Sequence, residues 1–553
     1  MALNNSGPIS LAGSTAGQSI ALELGLNTSA QISLNDAGPR GLAGVLSGII
    51  SMSNFYGKSS FPKFIFYSIN VTFLVTSAKL VTSDRIVICG QKQTINTSVT
   101  SNIGTATASN TAAFHIFVFN LSGTLLWQKC IDQLEYDDPS FASSVAVVNT
   151  NQLLIGRTHR ASGSTYGTYR GMLTKFNIDN GTHIHSRFIG SVAQGIQGAD
   201  FGTEKYRIFN NSTNLYMVGR RGSVPFTFSA PGLSYAIGAS TYVIANTNGG
   251  IVSQRRFGVN GVLAGNVYPC DIHPSSNHDH IVIAETSYHP QGSVNQTGNF
   301  PSISKYSSAG VLQWRKIYNN FNVGTILTHG STDTIAGICI DNSGNIYHAF
   351  KAEFADVSYQ YIIKFDSNLN VLWNRVLNFN DTSFLVRGMS VGDNTGSLFL
   401  YVGPIIIEMN ASTGTVIKAV AFYLTEAGYT KSISFGSIRD FFQQTPKENL
   451  VFDVQGRKFA AVQHGARAYN NIMASVTMTP SMYNNSSGTW TFSDGTSNWT
   501  VTLESYSVTT SDWQNAPSLV DRSITDEAIS LATGTFAENI IASTYQVFVS
   551  STP

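Results

Sequence analysis

The chain has 553 residues, of which 33 are Lys or Arg and 32 are Asp or Glu, so its formal net charge at pH 7 is +1. Charged residues make up 12% of the sequence, where about a quarter is usual for soluble domains, and 49 residues are glycine. A nearly neutral chain lacks the basic field that attracts nucleic acid, so we expect no nucleic-acid partner. The length allows several domains or one large repeat architecture, and the composition is typical of a turn-rich, all-β protein.

The cysteines and the apolar residues give two further expectations. Cys89, Cys130, Cys270 and Cys339 are far apart and form no CxxC pair, which favours buried free thiols over disulfides or metal ligands. The sequence has no run of about 18 apolar residues, and its N-terminus lacks the basic start and apolar core of a signal peptide. We therefore expect no membrane insertion and no secretion signal.

Residues 1–59 differ in composition from the rest of the chain, because they contain almost no aromatic residue before the closing SNFYGKS. Their most distinctive parts are ISLAGSTAGQSIALELGL from Ile9, the SLND turn from Ser33 with Arg40 and Leu42-Ala43-Gly44 after it, and SGIISMSNFYGKS from Ser47. Together these parts resemble a module at the N-terminus of virion proteins of tailed bacteriophages, notably those that infect cyanobacteria. The resemblance covers about a tenth of the chain and implies attachment to other virion proteins.

We expect residues 1–59 to dock the chain onto a partner, since a segment of this length cannot bury its apolar side chains alone. The candidate docking residues are Leu11, Ile20, Leu22, Leu24, Ile32, Leu34, Arg40, Leu42, Phe55 and Tyr56. Gly57-Lys58-Ser59 does not indicate a phosphate-binding loop, because that motif needs a glycine where Met52 stands.

Six hairpins of one design recur after residue 64, each with alternating apolar and polar residues on both sides of a polar turn. They span residues 114–130, 173–189, 242–257, 303–318, 361–379 and 404–422, with the turn residues Gly123, Gly181, Gly250, Gly310, Asn370 and Gly414. The interval is near 60 residues, with one shorter unit. A second pair of strands precedes each hairpin and is clearest near Lys79, Ser144, Gly337, Gly388 and Asn449.

Four strands per repeat predict an all-β fold and, specifically, a β-propeller, because each small sheet buries its faces only against its neighbours. We predict seven blades within residues 60–509, with six or eight as alternatives; residues 488–508 would form the terminal hairpin and residues 64–73 would complete the last blade. The Asp341–Tyr347 element resembles bacterial propeller repeats. In residues 510–553, a tail that packs on the propeller or on a partner, we predict a helix from Ser523 and a strand from Tyr545.

No motif predicts catalysis, so we expect no catalytic, cofactor or metal site. His273, His278 and His280 are irregularly spaced, which favours a loop over a metal site, and the same holds for the pair His183 and His185. Asp132, Glu135, Asp137 and Asp138 lack the Asp-x-Asp-x-Asp-Gly pattern of a Ca²⁺ loop. The sequence also has no Gly-x-Ser-x-Gly elbow and no adjacent cysteines of the kind found in quinoprotein dehydrogenases.

The resemblance and the repeats together predict a non-enzymatic phage virion protein, a fibre or appendage of the tail, baseplate or neck that displays its propeller for host-surface recognition. The expected partners are other virion proteins, a host-surface glycan or protein, and further copies of the chain, with a trimer implied by the resemblance. The expected location is the virion, assembled in the bacterial cytoplasm. A passive spacer or decoration protein is the first alternative, and a glycan-degrading enzyme is a more distant one, because one propeller fold hosts many functions.

Overall fold

The computed structural model describes an N-terminal region and a long series of strands and turns. The described residues are 3, 6–15, 18–24, 29, 31–43, 48–56, 64–69, 73–82, 85–92, 114–120, 124–132, 143–149, 151–161, 168–190, 202–208, 213–220, 240–258, 267–277, 279–290, 297–319, 337–354, 357–378, 386–391, 396–402, 405–426, 451–454, 457–460, 466–467, 473–478, 488–493, 498–512, 518–521, 525–528, 532–535, 539–542 and 547–551. The N-terminal region contains the short helices α1 (Ile20–Glu23) and α2 (Ala37–Ala43) and a 3-10 helix (Met52–Phe55).

The remaining described residues form strands and the turns between them. The first strands are β1 (Phe64–Ile69), β2 (Phe73–Leu80), β3 (Arg85–Lys92), β4 (Phe114–Asn120), β5 (Leu125–Asp132), β6 (Ser143–Val148), β7 (Gln152–Ala161), β8 (Thr168–Asn177), β9 (His183–Gly190), β10 (Gly202–Ile208), β11 (Asn214–Arg220), β12 (Ser240–Asn246), β13 (Ile251–Gly258), β14 (Val267–Pro274), β15 (His280–Pro290), β16 (Thr297–Ser307) and β17 (Leu312–Asn319). They continue with β18 (Gly337–Ile340), β19 (Ile346–Phe354), β20 (Val357–Phe365), β21 (Val371–Asn378), β22 (Val386–Val391), β23 (Ser397–Val402), β24 (Ile405–Asn410), β25 (Val416–Glu426), β26 (Val451–Val454), β27 (Arg457–Ala460), β28 (Ala466–Arg467), β29 (Met473–Met478), β30 (Gly488–Ser493) and β31 (Asn498–Ser505). The last six are β32 (Thr509–Ser511), β33 (Ser518–Asp521), β34 (Thr525–Ala528), β35 (Ala532–Thr535), β36 (Asn539–Ala542) and β37 (Val547–Ser551).

These strands form seven antiparallel sheets, numbered here 1 to 7 in chain order. Sheets 1 to 6 are built on four consecutive strands each, namely β2–β5, β6–β9, β10–β13, β14–β17, β18–β21 and β22–β25. Sheet 7 contains β26, β27 and β29, with β28 beside β29, and it takes β1 from the other end of the chain. The first strands of consecutive sheets contact each other from sheet 1 through sheet 7, so the sheets stand side by side in chain order.

Several sequence predictions are confirmed by this arrangement. The chain is all-β, and the six hairpins are the third and fourth strands of sheets 1 to 6. The strand at residue 64 belongs to the last sheet, where β1 pairs with β29 from Phe64↔Met478 to Ile69↔Met473. Cys89, Cys130 and Cys339 are buried cysteines outside disulfide bonds.

The prediction that residues 488–508 form the seventh blade is wrong. The β30 and β31 hairpin extends sheet 6 instead, where β31 pairs with β25 from Trp499↔Glu426 to Ser505↔Val420. The reason is the length of β25, whose 11 residues leave a long outer edge that a further strand can cover. Sheet 7 is built from weaker sequence patterns in residues 451–478 and from β1.

The C-terminal tail adds an outer strand to every sheet, and we call residues 498–551 the belt. Strands β31 to β36 pair with the fourth strands of sheets 6, 5, 4, 3, 2 and 1 in that order, and β37 pairs with β1 in sheet 7. The belt therefore passes the sheets in the reverse of chain order. It covers strand edges whose backbone N–H and C=O groups would otherwise lack strand partners.

The belt has a seven-residue period, and the prediction of a helix from Ser523 is wrong. Its strands begin at Ser518, Thr525, Ala532 and Asn539, with four paired residues and three linking residues in each unit. Residues 525–528, which lie inside the predicted helix, form β34 and pair with β13. The strand predicted from Tyr545 is confirmed as β37.

The described core consists of five apolar clusters, each shared by two consecutive sheets from sheet 1 to sheet 6. In the cluster between sheets 3 and 4, for example, the rings of Tyr242 and Tyr306 lie 4.7 Å apart, and both residues are 0% exposed. Because each cluster needs both of its sheets, the sheets depend on their neighbours for burial.

Turns between third and fourth strands connect each sheet to the one before it. In sheet 6, Ala411 O accepts hydrogen bonds from Trp373 Nε1 at 3.1 Å and from Lys364 Nζ at 3.0 Å, both in sheet 5. Gly414 of the same turn has a φ of 70°, and a Cβ there would lie 2.8 Å from the Trp373 ring. Trp127 of sheet 1 makes the equivalent contacts with Ile178 O and Gly181 of sheet 2. We call these contacts the turn locks.

The shape of each turn is set by a side chain at the end of the third strand, which accepts backbone N–H groups of the next residues. These side chains are Asn120, Asn177, Asn246, Ser307, Asp366 and Asn410. In sheets 3 and 5 the residue at positive φ is Gly249 and Leu369, one position before the predicted turn residues Gly250 and Asn370. The cause is the cap, since the N–H groups of Gly250 and Asn370 are bound by Asn246 and Asp366.

We predict that Gly414→Ala destabilises the protein by about 1–3 kcal/mol more than Gly396→Ala. Both glycines have positive φ, of 70° and 63°, so both variants carry a similar backbone cost of about 1–2 kcal/mol. Only Gly414 faces an indole ring, while nothing lies within 4 Å of a Cβ at Gly396, so the difference measures overpacking in the turn lock. Denaturant unfolding of both variants tests this, and equal losses would contradict a tight lock.

Candidate protein-binding surfaces

Residues 3–56 have a small apolar core of their own. Ile20, Leu42 and Phe55 are 0%, 9% and 0% exposed, and they pack together with Leu3 and Ala43. The segment closes on itself through a hydrogen bond from the Tyr56 hydroxyl to Gly7 O at 2.8 Å. These three candidate docking residues therefore form the interior of the segment, and the expectation that it cannot bury its own apolar side chains needs this correction.

Of the other candidate docking residues, some pack against the small core and others are exposed to solvent. Leu24, Ile32 and Leu34 are half-buried against the small core, and the Arg40 guanidinium donates to Asn35 Oδ1 and Gly48 O. The side chain of Leu22 lies outside the described residues. Leu11 and Tyr56 are exposed by 36% and 39%, and Ile49, which the sequence analysis missed, is exposed by 94%. The pair Ile49-Ile50 offered a signal, because two adjacent residues rarely both point into so small a core.

A second apolar surface lies on the seven-sheet body, at the start of the fourth strands. In the described part of the body, the exposed large apolar side chains all fall in this stretch of sheets 1 to 6; they are Leu126, Ile184, Val252, Val311, Val371, Leu372 and Ile417. We call this set the apolar rim. Scattered exposed apolar residues are normal, but among the described side chains five of these seven recur at one equivalent strand position, in sheets 1, 2, 3, 5 and 6, which makes the rim a candidate binding surface.

A β-bulge in each fourth strand places the rim residues. In sheet 5, Val371 pairs with Phe365 and Trp373 pairs with Lys364, so Leu372 is the extra residue between them. Sheets 1, 2, 3 and 6 have a bulge at the same position, with Leu126, Ile184, Val252 and Ile417 as the extra residues. In sheet 4 the extra residue is Gln313, and Val311 supplies the exposed apolar side chain. The bulge re-aims its extra residue, which here faces solvent.

The belt leaves the bulged half of each fourth strand uncovered. In sheet 5 it pairs with residues 376–378 and in sheet 1 with residues 129–132, beyond the bulge in both cases. Among the described pairings, no strand lies outside the stretch that carries Leu372 or Leu126. The rim therefore combines aliphatic side chains with an open strand edge.

Carboxylates in the turns near the rim act as turn caps. Asp341 accepts hydrogen bonds from the backbone N–H of Ser343 and Asn345 and from the Tyr347 hydroxyl, at 2.9, 2.8 and 3.0 Å. Asp366 caps the turn between the third and fourth strands of the same sheet, and its hydrogen bonds from Asn370 lower the pKa of the carboxyl group. Local hydrogen bonds thus occupy these carboxylates, whose role is to fix the turns.

The histidines and carboxylates that the sequence analysis weighed as metal ligands lie partly outside the described residues. His280 bonds to Asp279, Asp279 also accepts from the Ser275 hydroxyl at 2.8 Å, and His273 Nδ1 lies 2.7 Å from Pro274 O. These groups bond within their own turn. Several residues that the sequence analysis considered lie outside the described residues or side chains: Gly57, Lys58, Ser59, Asp132, Glu135, Asp137, Asp138 and His278. Within the residues that are described, no three His, Cys, Asp or Glu side chains converge, and no helix is long and apolar enough to cross a bilayer.

Comparison with known proteins does not identify a function for these surfaces. No protein-family model and no curated protein matches the chain. Among solved structures, the chain is similar to a GH32 β-fructofuranosidase of Bombyx mori, BmSUC1, with 9% sequence identity and a TM-score of 0.27, over 83% of this chain and 94% of that chain. A likeness with so low a TM-score carries no argument about fold or activity.

The functional expectation from the sequence is nevertheless contradicted and has to be corrected. It was a non-enzymatic phage fibre or appendage for host-surface recognition, whereas the matched structure is a glycoside hydrolase. The resemblance of residues 1–59 to a virion module, the trimer, the virion location and the absence of catalysis stay predictions, because no comparison bears on them. The function has to be argued from the geometry.

We predict that Phe55→Ala unfolds residues 3–56 and leaves the seven-sheet body folded. The ring is completely buried at the centre of a small core, and such a truncation costs about 3–5 kcal/mol, which a segment of this size cannot absorb. Tyr56→Ala, at an exposed neighbour, removes one hydrogen bond worth about 1 kcal/mol and serves as the matched control. Limited proteolysis reads out both variants; an intact N-terminal segment in Phe55→Ala would contradict the small core.

Proposed function

We propose that the chain is a closed seven-bladed β-propeller, fastened by its own C-terminal belt, which self-assembles through the apolar rim. The single observation that carries the proposal is the exposed apolar residue at an equivalent strand position in sheets 1, 2, 3, 5 and 6, with Val311 close to that position in sheet 4.

Two short links support closure of the ring between sheet 7 and sheet 1. The chain passes from Ile69 in sheet 7 to Phe73 in sheet 1 in four Cα steps, which span at most about 14 Å. The belt returns from Ala542 in sheet 1 to Val547 in sheet 7 in five steps, or at most about 18 Å. From β33 to β36, consecutive belt strands on neighbouring sheets are joined by four steps, so sheets 7 and 1 are held almost as close as these neighbours.

A second copy of the chain is the partner that the rim fits best. The rim residues are aliphatic, so they offer neither the positive charge that binds nucleic acid nor the aromatic rings on which sugars stack. A second copy presents the same apolar side chains, and a two-fold interface pairs one such patch with itself. The formal net charge of +1 leaves little long-range repulsion between copies.

The association has a geometric basis in the turns. In sheet 6, Ala411 of the turn between the third and fourth strands bonds to Gly396 O of the turn between the first and second strands. Equivalent bonds join Ile178 to Asn151 in sheet 2 and Ser308 to Asp279 in sheet 4. Both sets of turns therefore lie at one end of each sheet, and the rim residues follow directly after them. This places the rim along one face of the ring, where a second ring can stack.

Sedimentation velocity over a range of concentrations tests the proposal with the full chain. We expect concentration-dependent association of the natural protein and a monomer when Leu126→Gln, Ile184→Thr, Val252→Thr, Leu372→Gln and Ile417→Thr are combined. The matched control is Leu11→Gln with Ile49→Thr, which changes exposed apolar residues of the N-terminal segment and should still associate.

A thermal melt establishes that the rim variant is folded before its mass is interpreted. A monomeric natural protein at every concentration would overturn the proposal. So would loss of association in the N-terminal control with association retained in the rim variant, a result that would assign self-assembly to residues 3–56 instead.

A further inference from the structure

The junction between sheets 2 and 3 differs from the turn locks at Trp127 and Trp373 in one residue. His185 is paired with Lys175 across β8 and β9, just as Trp373 is paired with Lys364 in sheet 5. An imidazole therefore occupies the place of an indole. Among the side chains at this position in the described turn locks, His185 is the one that can gain a proton near neutral pH.

The histidine does not take over the hydrogen bond of the indole. Trp373 Nε1 and Trp127 Nε1 each donate to a carbonyl of the next turn, whereas the buried His185 Nε2 has no hydrogen-bond partner among the described residues. The polar link across the junction is made by Lys175, whose Nζ donates to Asn248 Oδ1 at 3.0 Å. Lys175 itself is only 2% exposed.

The groups that face His185 are predominantly cationic. Lys175 lies opposite on β8, Arg187 lies two residues further on β9, and His183 is nearby on the same strand. The sheet 3 turn across the junction, residues 246–250, contains asparagine, threonine and glycine and no charged side chain. Its Gly249 abuts Arg187, since a Cβ there would lie 2.9 Å from the Arg187 side chain.

Burial and the neighbouring positive charges both oppose protonation of His185 in the closed junction. Burial lowers the pKa of His185, and the charges of Lys175, Arg187 and His183 lower it further. When the junction opens, water relieves this penalty and the pKa returns toward its ordinary value of 6.5. The open form therefore binds more protons below that pH, and the stability of the closed junction is lost as the pH falls from 6.5 through the lowered value.

We propose that the junction between sheets 2 and 3 is an acid-sensitive hinge of the body, in which protonation of His185 adds a positive charge beside Lys175 and Arg187 and releases the sheet 3 turn. The junctions at Trp127 and Trp373 have at this position an indole, which gains no proton, and stay closed. Acidification thus opens the body at one defined place.

Hydrogen exchange of the full chain at about pH 7.5 and about pH 5.5, with labelling times scaled for the intrinsic exchange rate, tests the hinge. We expect the peptides over residues 168–190 and 240–258 to lose protection at the lower pH, and those over residues 361–378 and 405–426 to keep it. In His185→Gln, which keeps a polar side chain but cannot be protonated, this selective loss should disappear.

The control is His183→Gln, because His183 contacts Phe176 and Ser186 on the other side of sheet 2 and should leave the selective loss in place. Thermal melts at about pH 7.5 verify that both variants fold. Equal loss of protection at all junctions, or a selective loss that persists in His185→Gln, would overturn the hinge.

Discussion

The turn locks determine how the seven sheets fit together. A four-stranded sheet this small cannot bury both faces alone, so each needs a neighbour at a fixed distance. The lock supplies that distance, because a turn held by its cap residue inserts a positive-φ residue against the preceding fourth strand. At Gly414 and Gly181 the fit against an indole leaves no room for a Cβ. The apolar clusters between consecutive sheets then fill the space that these contacts define.

The belt and the bulges divide each outer edge into two parts with different roles. Beyond the bulge, the belt completes the backbone pairing and joins each sheet to the next along the chain. Before the bulge, the edge stays open and carries the apolar rim. Bulges discourage regular strand addition, so the open half favours side-chain contact between surfaces over uncontrolled edge pairing. The bulge thus marks where belt pairing stops on each fourth strand and exposes the apolar rim.

Much of the fold could be predicted from the sequence because its signals are local. Hairpins such as residues 361–379 combine alternating apolar residues with an Asp or Asn cap and a turn, and the structure has them as predicted. The belt could not be found in this way. Strands β32 to β37 are three to five residues long, too short for periodicity to show, and Ser523 to Ala532 resembles a capped helix until the pairing of β34 with β13 is known. The partner edge, which lies more than 250 residues away, decides the conformation.

The candidate sites were harder to predict for a related reason. Ile20 and Phe55 are buried because residues 3–56 close on themselves, and no local sequence pattern predicts this closure. The rim has a weak sequence signal, since Leu125-Leu126-Trp127 and Val371-Leu372-Trp373 break strict alternation by placing two aliphatic residues before the tryptophan. That signal indicates a surface only after the bulge shows which of the two faces solvent.

The proposed closure of the ring is the central claim, and single-particle electron microscopy of the full chain tests it most directly. The account predicts class averages of a closed disc with seven radial densities around a small central opening. An open arc, or an elongated particle in which the first and last sheets lie apart, would contradict it.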